Sequence, residues 1–568
     1  MSYSTTHPIY NGANAIIDQL DANKVDCIFA SPIAIMAPIW EVFAARENEI
    51  NIRYFRCRHE LLAVSLAYGY FKVKGKAQAV FLPSSLGVLN GSMALRSSLQ
   101  ERIPMLIISP DSLTYGEDAT TDPGPEWPSL LVDFAGPAIE GERVVKWSKK
   151  AITSSDLVQE LNRAQFIANA VPRGPVLLEV SFDLLLHEAP KPLPPILASS
   201  PVVATKNQIE EITNLLASAS LPIIITEYGG RTKAEKEQLI HIAETLAAPV
   251  FEFMMPAYHN FPRSHPLYGF EITSEILDKA DVILLIGCNA PWHPPHRALK
   301  PDCTVIHLEE DPLRPRAPYW GYKTTHTIAG DRFLNMKQIS ASLENKKIDN
   351  KKRANDWSRY SNSIREKNRK DAQEVLQATK QGIPASELFR VLHDTLPEKC
   401  AFIDEIVSQV PHMLNHLYSA KLFQQFRGWC GALGTGLGTA LGVKLASPDR
   451  LVVCIIGDGA WHYNPIPAAL GFSQEYGLPI FIVLCNNNQY LSATWNIQKY
   501  FPNGAAVKND HFVGNLIQPA PDYCKMVESY GGQGLRVKEI SELKQAINKG
   551  LQSIQTGKTF ILDIKVTS

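Results

Sequence analysis

Short hydrophobic runs alternate with longer segments of helix-like patterning along most of the chain. Each run is rich in Val, Ile and Leu and is bounded by Gly, Pro or polar residues, which is typical of buried strands in a parallel sheet. Because strands that alternate with helices form βαβ units, the pattern predicts an α/β fold with doubly wound parallel sheets. The predicted strands are residues 27–30, 52–55, 78–82, 104–108, 175–180, 221–226, 282–287, 304–308, 451–456 and 480–484.

The strand–helix pattern falls into three consecutive blocks, which predict three domains. We place the first domain at residues 1–188, the central domain at 200–343 and the third domain at 383–568. The proline-rich stretch 189–195 is typical of a stiff linker between the first two. Residues 344–382 are rich in Lys, Arg and Asn, and they predict a charged, solvated linker that contains a helix.

Composition narrows the class of protein. The 568 residues include 56 basic and 57 acidic side chains, and this balance gives no indication of a nucleic-acid partner. The nine cysteines are scattered without a CxxC pair, which predicts buried free thiols in a reducing compartment. The N-terminal residues lack the pattern of a signal peptide, and no apolar run reaches the ~20 residues of a membrane helix. We therefore expect a cytoplasmic protein without a membrane partner.

Two polar motifs follow predicted strands of the third domain. Gly457-Asp458-Gly459 comes directly after one strand, and the triplet Asn486–Asn488 follows the next. Ligands of open α/β sheets bind at the carboxyl ends of the strands, so neighbouring strands would bring both motifs to one site. Carboxylate and amide oxygens suit Mg²⁺, which keeps open positions for phosphate oxygens. Together the motifs predict a metal–diphosphate anchor, whereas Gly-Asp-Gly alone would equally fit an ordinary turn.

The pair of motifs resembles the metal-binding signature of thiamin diphosphate-dependent enzymes of the acetolactate synthase, pyruvate oxidase and benzoylformate decarboxylase group. In this family Gly-Asp-Gly precedes two asparagines, and the gap of 26 residues between Gly459 and Asn486 is about two longer than expected. The resemblance implies that Asp458 and Asn487 bind Mg²⁺ through their side chains and Gln489 through its carbonyl. The asparagine triplet leaves this assignment open by one position.

Further segments resemble the same family over nearly the whole chain. Residues 58–72 are similar to the segment with the cofactor-activating glutamate, here Glu60, and residues 83–90 to the adjoining loop. Residues 404–409 resemble a loop near the diphosphate, and residues 428–444 the glycine-rich segment that supports the bent cofactor. The resemblance implies pyrimidine-binding, central and diphosphate-binding domains in this order. It implies the cofactor-binding residues Glu60, Asn90, Glu405, Ser408, Gly431, Leu433, Gly457, Asp458, Gly459, Ala460, Asn487 and Tyr490.

The chemistry of thiamin diphosphate explains these residue types. Its thiazolium carbon must lose a proton, and a carboxyl beside the pyrimidine ring assists this loss, so Glu60 is the predicted catalytic residue. Glu60 precedes an apolar helix, and we expect its carboxyl to be buried, although a surface glutamate at a helix N-terminus fits the local sequence as well. Leu433 would support the bent cofactor, which does not exclude a role in core packing.

The predicted substrate pocket departs from better-known members. Ala34 stands where some decarboxylases have a polar catalytic side chain, and Pro83 where benzoylformate decarboxylase has a catalytic histidine. Asp111 is near a position where acetolactate synthases have glutamine. His462 and His59 are candidate replacements for the missing acid–base groups, and a structural role fits each of them too. The predicted pocket residues are Ala34, Pro83, Asp111, His462 and Trp495.

The resemblance implies a Mg²⁺-dependent enzyme that decarboxylates a 2-oxo acid and ligates the acyl unit to an acceptor carbonyl, as acetolactate synthase does. The alternatives are a 2-oxo acid decarboxylase and a lyase of 2-hydroxyacyl or 2-hydroxyketone substrates. A flavin-dependent oxidase and an inactive regulatory homologue also remain open, and FAD is compatible with the fold although no motif indicates it. Because the family builds its sites between chains, the resemblance implies a homodimer or homotetramer.

Overall fold

Three parallel sheets follow one another along the chain, which confirms the predicted fold class. The computed structural model describes residues 10–114, 121–122, 135–252, 256–289, 291–292, 299–314, 323–417, 422–427 and 432–567. Within this part of the chain, every strand pair inside the sheets is parallel. The carboxyl ends of the strands therefore form one edge of each sheet, where ligands of such folds bind.

The first sheet has the strand order β2-β1-β3-β4-β6-β5. Its strands are β1 (Cys27–Ala30), β2 (Arg53–Arg56), β3 (Gln78–Phe81), β4 (Met105–Asp111), β5 (Trp147–Lys150) and β6 (Pro175–Ser181). The helices are α1 (Gly12–Ala22), α2 (Ala37–Ala45), α3 (Glu60–Lys74), α4 (Ser84–Gln100), α5 (Pro137–Gly141), α6 (Ser154–Asn169) and α7 (Phe182–Leu186). A single 3₁₀ turn, Ala34–Met36, precedes α2.

The central sheet has the order β11-β10-β9-β7-β8. Its strands are β7 (Pro222–Thr226), β8 (Val250–Glu252), β9 (Val282–Ile286), β10 (Thr304–Glu309) and β11 (His326–Ala329). The helices are α8 (Lys206–Ser218), α9 (Lys233–Leu246), α10 (Ser274–Lys279) and α11 (Arg332–Glu344). The charged stretch after this domain contains the long helix α12 (Lys351–Ala378), whose Arg353 and Arg365 side chains donate to carbonyls of the central domain.

The third sheet, β13-β12-β14-β15-β17-β16, repeats the strand order of the first. Its strands are β12 (Cys400–Glu405), β13 (Leu422–Arg427), β14 (Leu451–Gly457), β15 (Phe481–Asn486), β16 (Gln533–Val537) and β17 (Phe560–Lys565). The helices are α13 (Ala385–Thr395), α14 (Val410–His416), α15 (Gly436–Ala446), α16 (Asp458–Trp461), α17 (Ile466–Glu475), α18 (Leu491–Tyr500), α19 (Ala505–Lys508), α20 (Tyr523–Glu528) and α21 (Ile540–Gln555).

Helices α3 and α15 join the first and third domains. Twelve of the 15 residues of α3 are buried, so this helix has almost no solvent-facing side. The two backbones come into direct contact: a Cβ at Gly69 would lie 2.2 Å from the carbonyl oxygen of Thr439, and one at Gly442 would lie 2.2 Å from that of Leu66. Only glycine fits at these two positions, and one apolar core spans both domains as a result.

Two further expectations from composition concern thiols and membranes. The eight cysteines in the described part of the chain are free thiols, as predicted, and seven of them are buried. Among the helices for which the structure gives coordinates, none is long and apolar enough to cross a membrane.

Candidate active site

The carboxylate of Asp458 lies beside the asparagine triplet, because β14 and β15 are parallel neighbours. Its Oδ1 accepts the N–H of Gly459 at 2.9 Å, and the backbone N–H groups of residues 487–489 also face it. Burial raises the pKa of Asp458 to about 6, although these N–H groups act in the opposite direction. Its Oδ2 is buried and has no hydrogen-bond partner. An orphaned buried carboxylate oxygen is costly unless a cation satisfies it.

The asparagine triplet divides its roles between the sheet and the site. The Asn486 amide donates to Asp563 Oδ1 at 2.8 Å, and its oxygen accepts the N–H of Asn488. Asn488 adopts a left-handed conformation with φ of 56° and is exposed. Asn487 is half-buried, and its amide oxygen accepts the N–H of Gln489 at 3.2 Å. Asn486 is thus engaged with the sheet and Asn488 is exposed, and the metal-binding role of Asn487 stays a prediction.

The chemistry of these donors fits magnesium. A carboxylate, an amide oxygen and a backbone carbonyl are the hard oxygen ligands that Mg²⁺ takes. No group of three or more His, Cys, Asp or Glu side chains that could hold a metal lies within the described ranges. The residues present thus suit an oxygen-liganded cation that leaves positions open for phosphate.

Gly457 and Gly459 of the Gly-Asp-Gly motif do not form a left-handed turn. Neither has a left-handed conformation, since β14 runs through Gly457 and α16 begins directly at Asp458. A Cβ at Gly457 would meet open space, which leaves room for a ligand at the strand end. A Cβ at Gly459 would lie 2.8 Å from the Tyr490 ring, so this glycine lets Tyr490 pack against α16. Ala460 is buried in the same helix turn.

Glu405 ends β12, and its buried carboxyl binds the glycine-rich segment of its own chain. Its Oε1 accepts the N–H groups of Gly434 and Thr435 at 2.7 and 2.9 Å, and its Oε2 accepts the Asn464 amide at 2.6 Å. Burial raises the pKa of Glu405 to about 7. The resemblance implied that Glu405 binds the cofactor, and this role stays a prediction. Leu433, next to this turn, is half-buried against the shared core.

Ser408 and Gly431 also belong to the predicted cofactor-binding residues. Ser408 Oγ donates to Gln409 Oε1 at 3.0 Å in the loop after β12. Gly431 lies outside the described residues.

The carboxyl of Glu60 is held by two neutral donors. Ser31 Oγ, at the end of β1, donates to Oε1 at 2.8 Å, and the Asn90 amide of α4 donates to Oε2. His59 caps α3, since its Nδ1 accepts the N–H of Leu61 at 3.1 Å. The Glu60 side chain remains 15% exposed in the single chain, so the expected full burial is not observed.

The start of α3 adjoins the glycine-rich segment of the same chain. The Leu61 side chain would lie 3.3 Å from a Cβ built at Gly434. Because Leu61 follows Glu60 and Gly434 follows Leu433, the segments that carry the predicted catalytic carboxyl and the predicted cofactor support adjoin.

The predicted pocket residues lie in different settings. Ala34 is exposed in the 3₁₀ turn after β1, and Pro83 precedes α4 at the end of β3, so both lie at the sheet edge that also carries Glu60. Asp111 is buried at the end of β4, with Oδ2 3.8 Å from the Lys150 ammonium. Burial raises the pKa of Asp111.

The two pocket candidates of the third domain are exposed. His462 follows α16, and its Nε2 lies 3.4 Å from the Tyr523 hydroxyl. Trp495 on α18 is 46% exposed.

Three family models match the chain in the order of its domains, and together they span more than half of it. They are the thiamine pyrophosphate enzyme N-terminal TPP binding domain at residues 10–126, the central domain at 209–323 and the C-terminal TPP binding domain at 407–564. The chain belongs to the thiamine pyrophosphate enzyme family. Thiamine pyrophosphate is thiamin diphosphate, so the resemblance drawn from the motifs is confirmed.

Relatives within the thiamine pyrophosphate enzyme family align along nearly the full chain. A probable acetolactate synthase large subunit of Methanococcus aeolicus is 25% identical, with 98% of this chain and 92% of the relative covered. The acetolactate synthase isozyme 3 large subunit of Escherichia coli K12 is 24% identical, with 98% and 95% covered.

Solved structures of the thiamine pyrophosphate enzyme family share the fold. The 4-hydroxybenzoylformate decarboxylase of Rhodococcus jostii RHA1 superimposes with a TM-score of 0.78 at 21% identity, with 98% of this chain and 99% of that chain covered. A benzoylformate decarboxylase from Polynucleobacter necessarius gives 0.79 at 19% identity with the same coverage.

Sequence reasoning missed two residues that the structure brings to this thiamine pyrophosphate enzyme site. Ser31 contacts Glu60, and Asn464 contacts Glu405. Ser31 ends a predicted strand on the edge that carries Glu60, a position that could have singled it out. Asn464 lies five residues beyond Gly459, and nothing in its local sequence pairs it with Glu405.

Proposed function

We propose that the protein is a Mg²⁺- and thiamin diphosphate-dependent enzyme that decarboxylates a 2-oxo acid and transfers the acyl unit to an acceptor carbonyl. The observation that carries this proposal is the orphaned, buried Oδ2 of Asp458 beside Asn487, on the sheet edge where the family binds diphosphate. A site without a bound cation leaves this oxygen unsatisfied, which is costly in a buried setting.

Each residue then has a definite role. Asp458 and Asn487 would hold Mg²⁺ with their side chains and Gln489 with its carbonyl. The bound cofactor supplies an electron sink for cleavage of a bond to a carbonyl carbon. Glu60, oriented by Ser31 and Asn90, would exchange a proton with the pyrimidine ring of the cofactor.

The lining of the pocket favours ligation over simple decarboxylation. Ala34 and Pro83 offer no proton donor at the edge that carries Glu60. A site with few proton donors delays protonation of the acyl unit, which leaves time for a second carbonyl to react. The similarity to acetolactate synthase large subunits supports the same reaction. The second candidate, a 2-oxo acid decarboxylase or a lyase of 2-hydroxyacyl or 2-hydroxyketone substrates, is supported by the named decarboxylases among the solved structures.

Association of chains is part of the proposal. Leu86 and Leu89 are 71% and 50% exposed on α4, the helix that also carries Asn90. Exposed apolar side chains next to a site mark an interaction surface. We therefore propose a cytoplasmic homodimer or homotetramer in which a second chain covers this face.

A product analysis tests the proposed reaction. Purified protein with thiamin diphosphate and Mg²⁺ is incubated with a panel of 2-oxo acids, with and without aldehyde or 2-oxo acid acceptors, and products are followed by mass spectrometry. We expect acyloins or acetohydroxy acids that require the acceptor. Aldehyde as the sole product would favour the decarboxylase, and no turnover with any 2-oxo acid would contradict the proposal.

Contacts in the central domain support an enzyme without flavin. In nucleotide-binding sheets the N–H groups of the turn after the first strand bind the pyrophosphate. Here the N–H of Gly229 donates to Thr226 Oγ1 at 2.8 Å, and the N–H of Gly230 donates to Asn260 Oδ1 at 3.0 Å. Side chains of the same chain therefore already use both groups.

A buried ion cluster lies at the described part of this edge, and we name it the Arg102 cluster. Arg102 extends from the first domain and pairs with Glu309, and it also lies 3.4 Å from Glu310. The Tyr228 hydroxyl donates to Glu309 Oε2 at 2.9 Å, and Arg332 lies 2.6 Å from Glu235. The members of the Arg102 cluster are Arg102, Tyr228, Glu235, Glu309, Glu310 and Arg332, all of them buried or nearly so. The residues present do not fit a dinucleotide, so we propose that the enzyme works without FAD.

We expect the purified protein to show no flavin absorption and no binding of added FAD.

Arg102→Ser should destabilise the protein by about 3–5 kcal/mol, because it leaves Glu309 and Glu310 buried with fewer counter-charges. Arg96→Ser is the matched control, since Arg96 is exposed on the preceding helix α4 and should change stability by less than about 0.5 kcal/mol. Denaturant unfolding measures both variants. Stoichiometric FAD in the wild-type protein would refute this part of the proposal.

A further inference from the structure

A buried pair of side chains connects the segment that follows β14, which carries Asp458, to the glycine-rich segment. Glu405 and Asn464 are both buried, each 6% exposed. The Asn464 amide donates to Glu405 Oε2 at 2.6 Å, which is short for a neutral donor and typical of a bond to a carboxylate. Neither side chain belongs to the predicted metal ligands. We call them the Glu405–Asn464 pair.

Each member of the pair reaches a different segment. Glu405 accepts the N–H groups of Gly434 and Thr435, directly after the predicted cofactor support Leu433. Asn464 accepts the N–H of Leu437 at 3.1 Å. The pair therefore satisfies three backbone donors at the start of α15, which would otherwise lack partners.

The pair also reaches the metal side of the site. The Asn464 amide donates a second bond, at 2.9 Å, to the carbonyl of Ala460 in α16, the helix that begins at Asp458. The approach is tight, since a Cβ at Gly436 would lie 2.8 Å from Glu405 Oε2. Besides the bond between its two members, the pair makes four hydrogen bonds to the backbone. These bonds link three segments: the end of β12, the start of α15 and helix α16.

We propose that Glu405 and Asn464 are positioning residues that set the distance and angle between Leu433 and Asp458, and so between the predicted support of the bent cofactor and the predicted ligand of its metal ion. This inference rests on the proposed function. The pair acts through the backbone of residues 434–437 and 460. It should therefore affect turnover more than cofactor affinity.

A charge-swap cycle tests the proposal. In Glu405→Gln the new NH₂ group must face another N–H donor, because both oxygens of Glu405 accept N–H groups. In Asn464→Asp two carboxylates face each other. The double variant Glu405→Gln/Asn464→Asp restores one carboxylate and one amide in the same place. We expect each single variant to lower kcat on the order of 10- to 100-fold, as for the loss of one hydrogen bond to a charged group. The double variant should recover roughly 10-fold of that loss, because the two residues are directly coupled.

Two readouts separate positioning from general structural support. Thiamin diphosphate affinity in the presence of Mg²⁺, measured by calorimetry, should stay within about threefold of wild type in the single variants, which is below ~0.7 kcal/mol. Amide hydrogen exchange of residues 432–437 should speed up in the cofactor-free single variants and return towards wild type in the double variant. Glu528→Gln, an exposed change in the same domain, is the control.

The outcomes are decisive in both directions. Loss of kcat with retained affinity, faster exchange and recovery in the double variant would establish the positioning role. A fall in affinity that matches the fall in kcat, unchanged exchange or no recovery would overturn it. Wild-type protein that fails to bind thiamin diphosphate would instead refute the proposed function, so the two failures are distinguishable.

Discussion

Glu60→Gln is expected to lower kcat by about 10²- to 10⁴-fold, the usual contribution of a general acid–base group. Glutamine keeps the shape of the side chain and can still accept from Ser31, but it cannot take up and release a proton. Mg²⁺ affinity should change little, because Glu60 lies on the first domain and the predicted metal ligands on the third. Steady-state kinetics and calorimetry measure the two effects.

Glu49→Gln provides the matched control for this change. Glu49 lies in the same domain, is 70% exposed and pairs with Arg46 at the surface, so its removal should leave kcat unaltered. If Glu60→Gln retained wild-type turnover, Glu60 would not be the catalytic carboxyl and the proposed mechanism would be wrong.

Asp458→Asn is expected to abolish tight Mg²⁺ binding, and thiamin diphosphate binding with it. The change removes the negative charge of the predicted ligand set. Since outer-shell changes alone commonly cost 10- to 100-fold in metal affinity, we expect a loss on the order of 100-fold or more. The metal-free variant should be at least as stable as the wild type, because burial disfavours the ionised form of Asp458.

Calorimetric titration with Mg²⁺ and thermal unfolding without metal measure these two opposite effects. Asp449→Asn, an exposed change two residues before β14, should alter neither quantity. Undiminished Mg²⁺ affinity in Asp458→Asn would show that the metal ligands lie elsewhere.

Ten of the 17 strands in the described chain were predicted, and all of these except β2 are buried over most of their length. The strands β5, β8, β11, β12, β13, β16 and β17 were not predicted. Continuous apolar runs such as 282–286 have one interpretation in a chain that alternates strands and helices. The ends of strands were less accurate: β14 extends through Gly457, and β15 extends to Asn486, where a side-chain bond to Asp563 prolongs the sheet. Polar residues at strand ends carry no hydrophobic pattern, so their partners decide the boundary.

The motifs predicted that Asp458 adjoins the asparagine triplet, because Asp458 and Asn487 directly follow neighbouring strands. The contacts that support the site could not be predicted in this way. Arg102 pairs with Glu309, and Asn464 pairs with Glu405, over long separations in sequence. Such buried pairs depend on how whole helices and domains pack, and no local pattern of residues encodes that packing.

The contact between α3 and α15 has a consequence for the way the protein is made. The ribosome completes α3 long before it reaches Thr439, which lies against Gly69 in the folded chain. At translation rates of about 5–20 residues per second, the interval is roughly 20–70 s. During this time the side of α3 that packs against α15 has no native partner. We therefore expect chaperones to bind the nascent first domain, and premature termination before residue 436 to give an aggregating fragment.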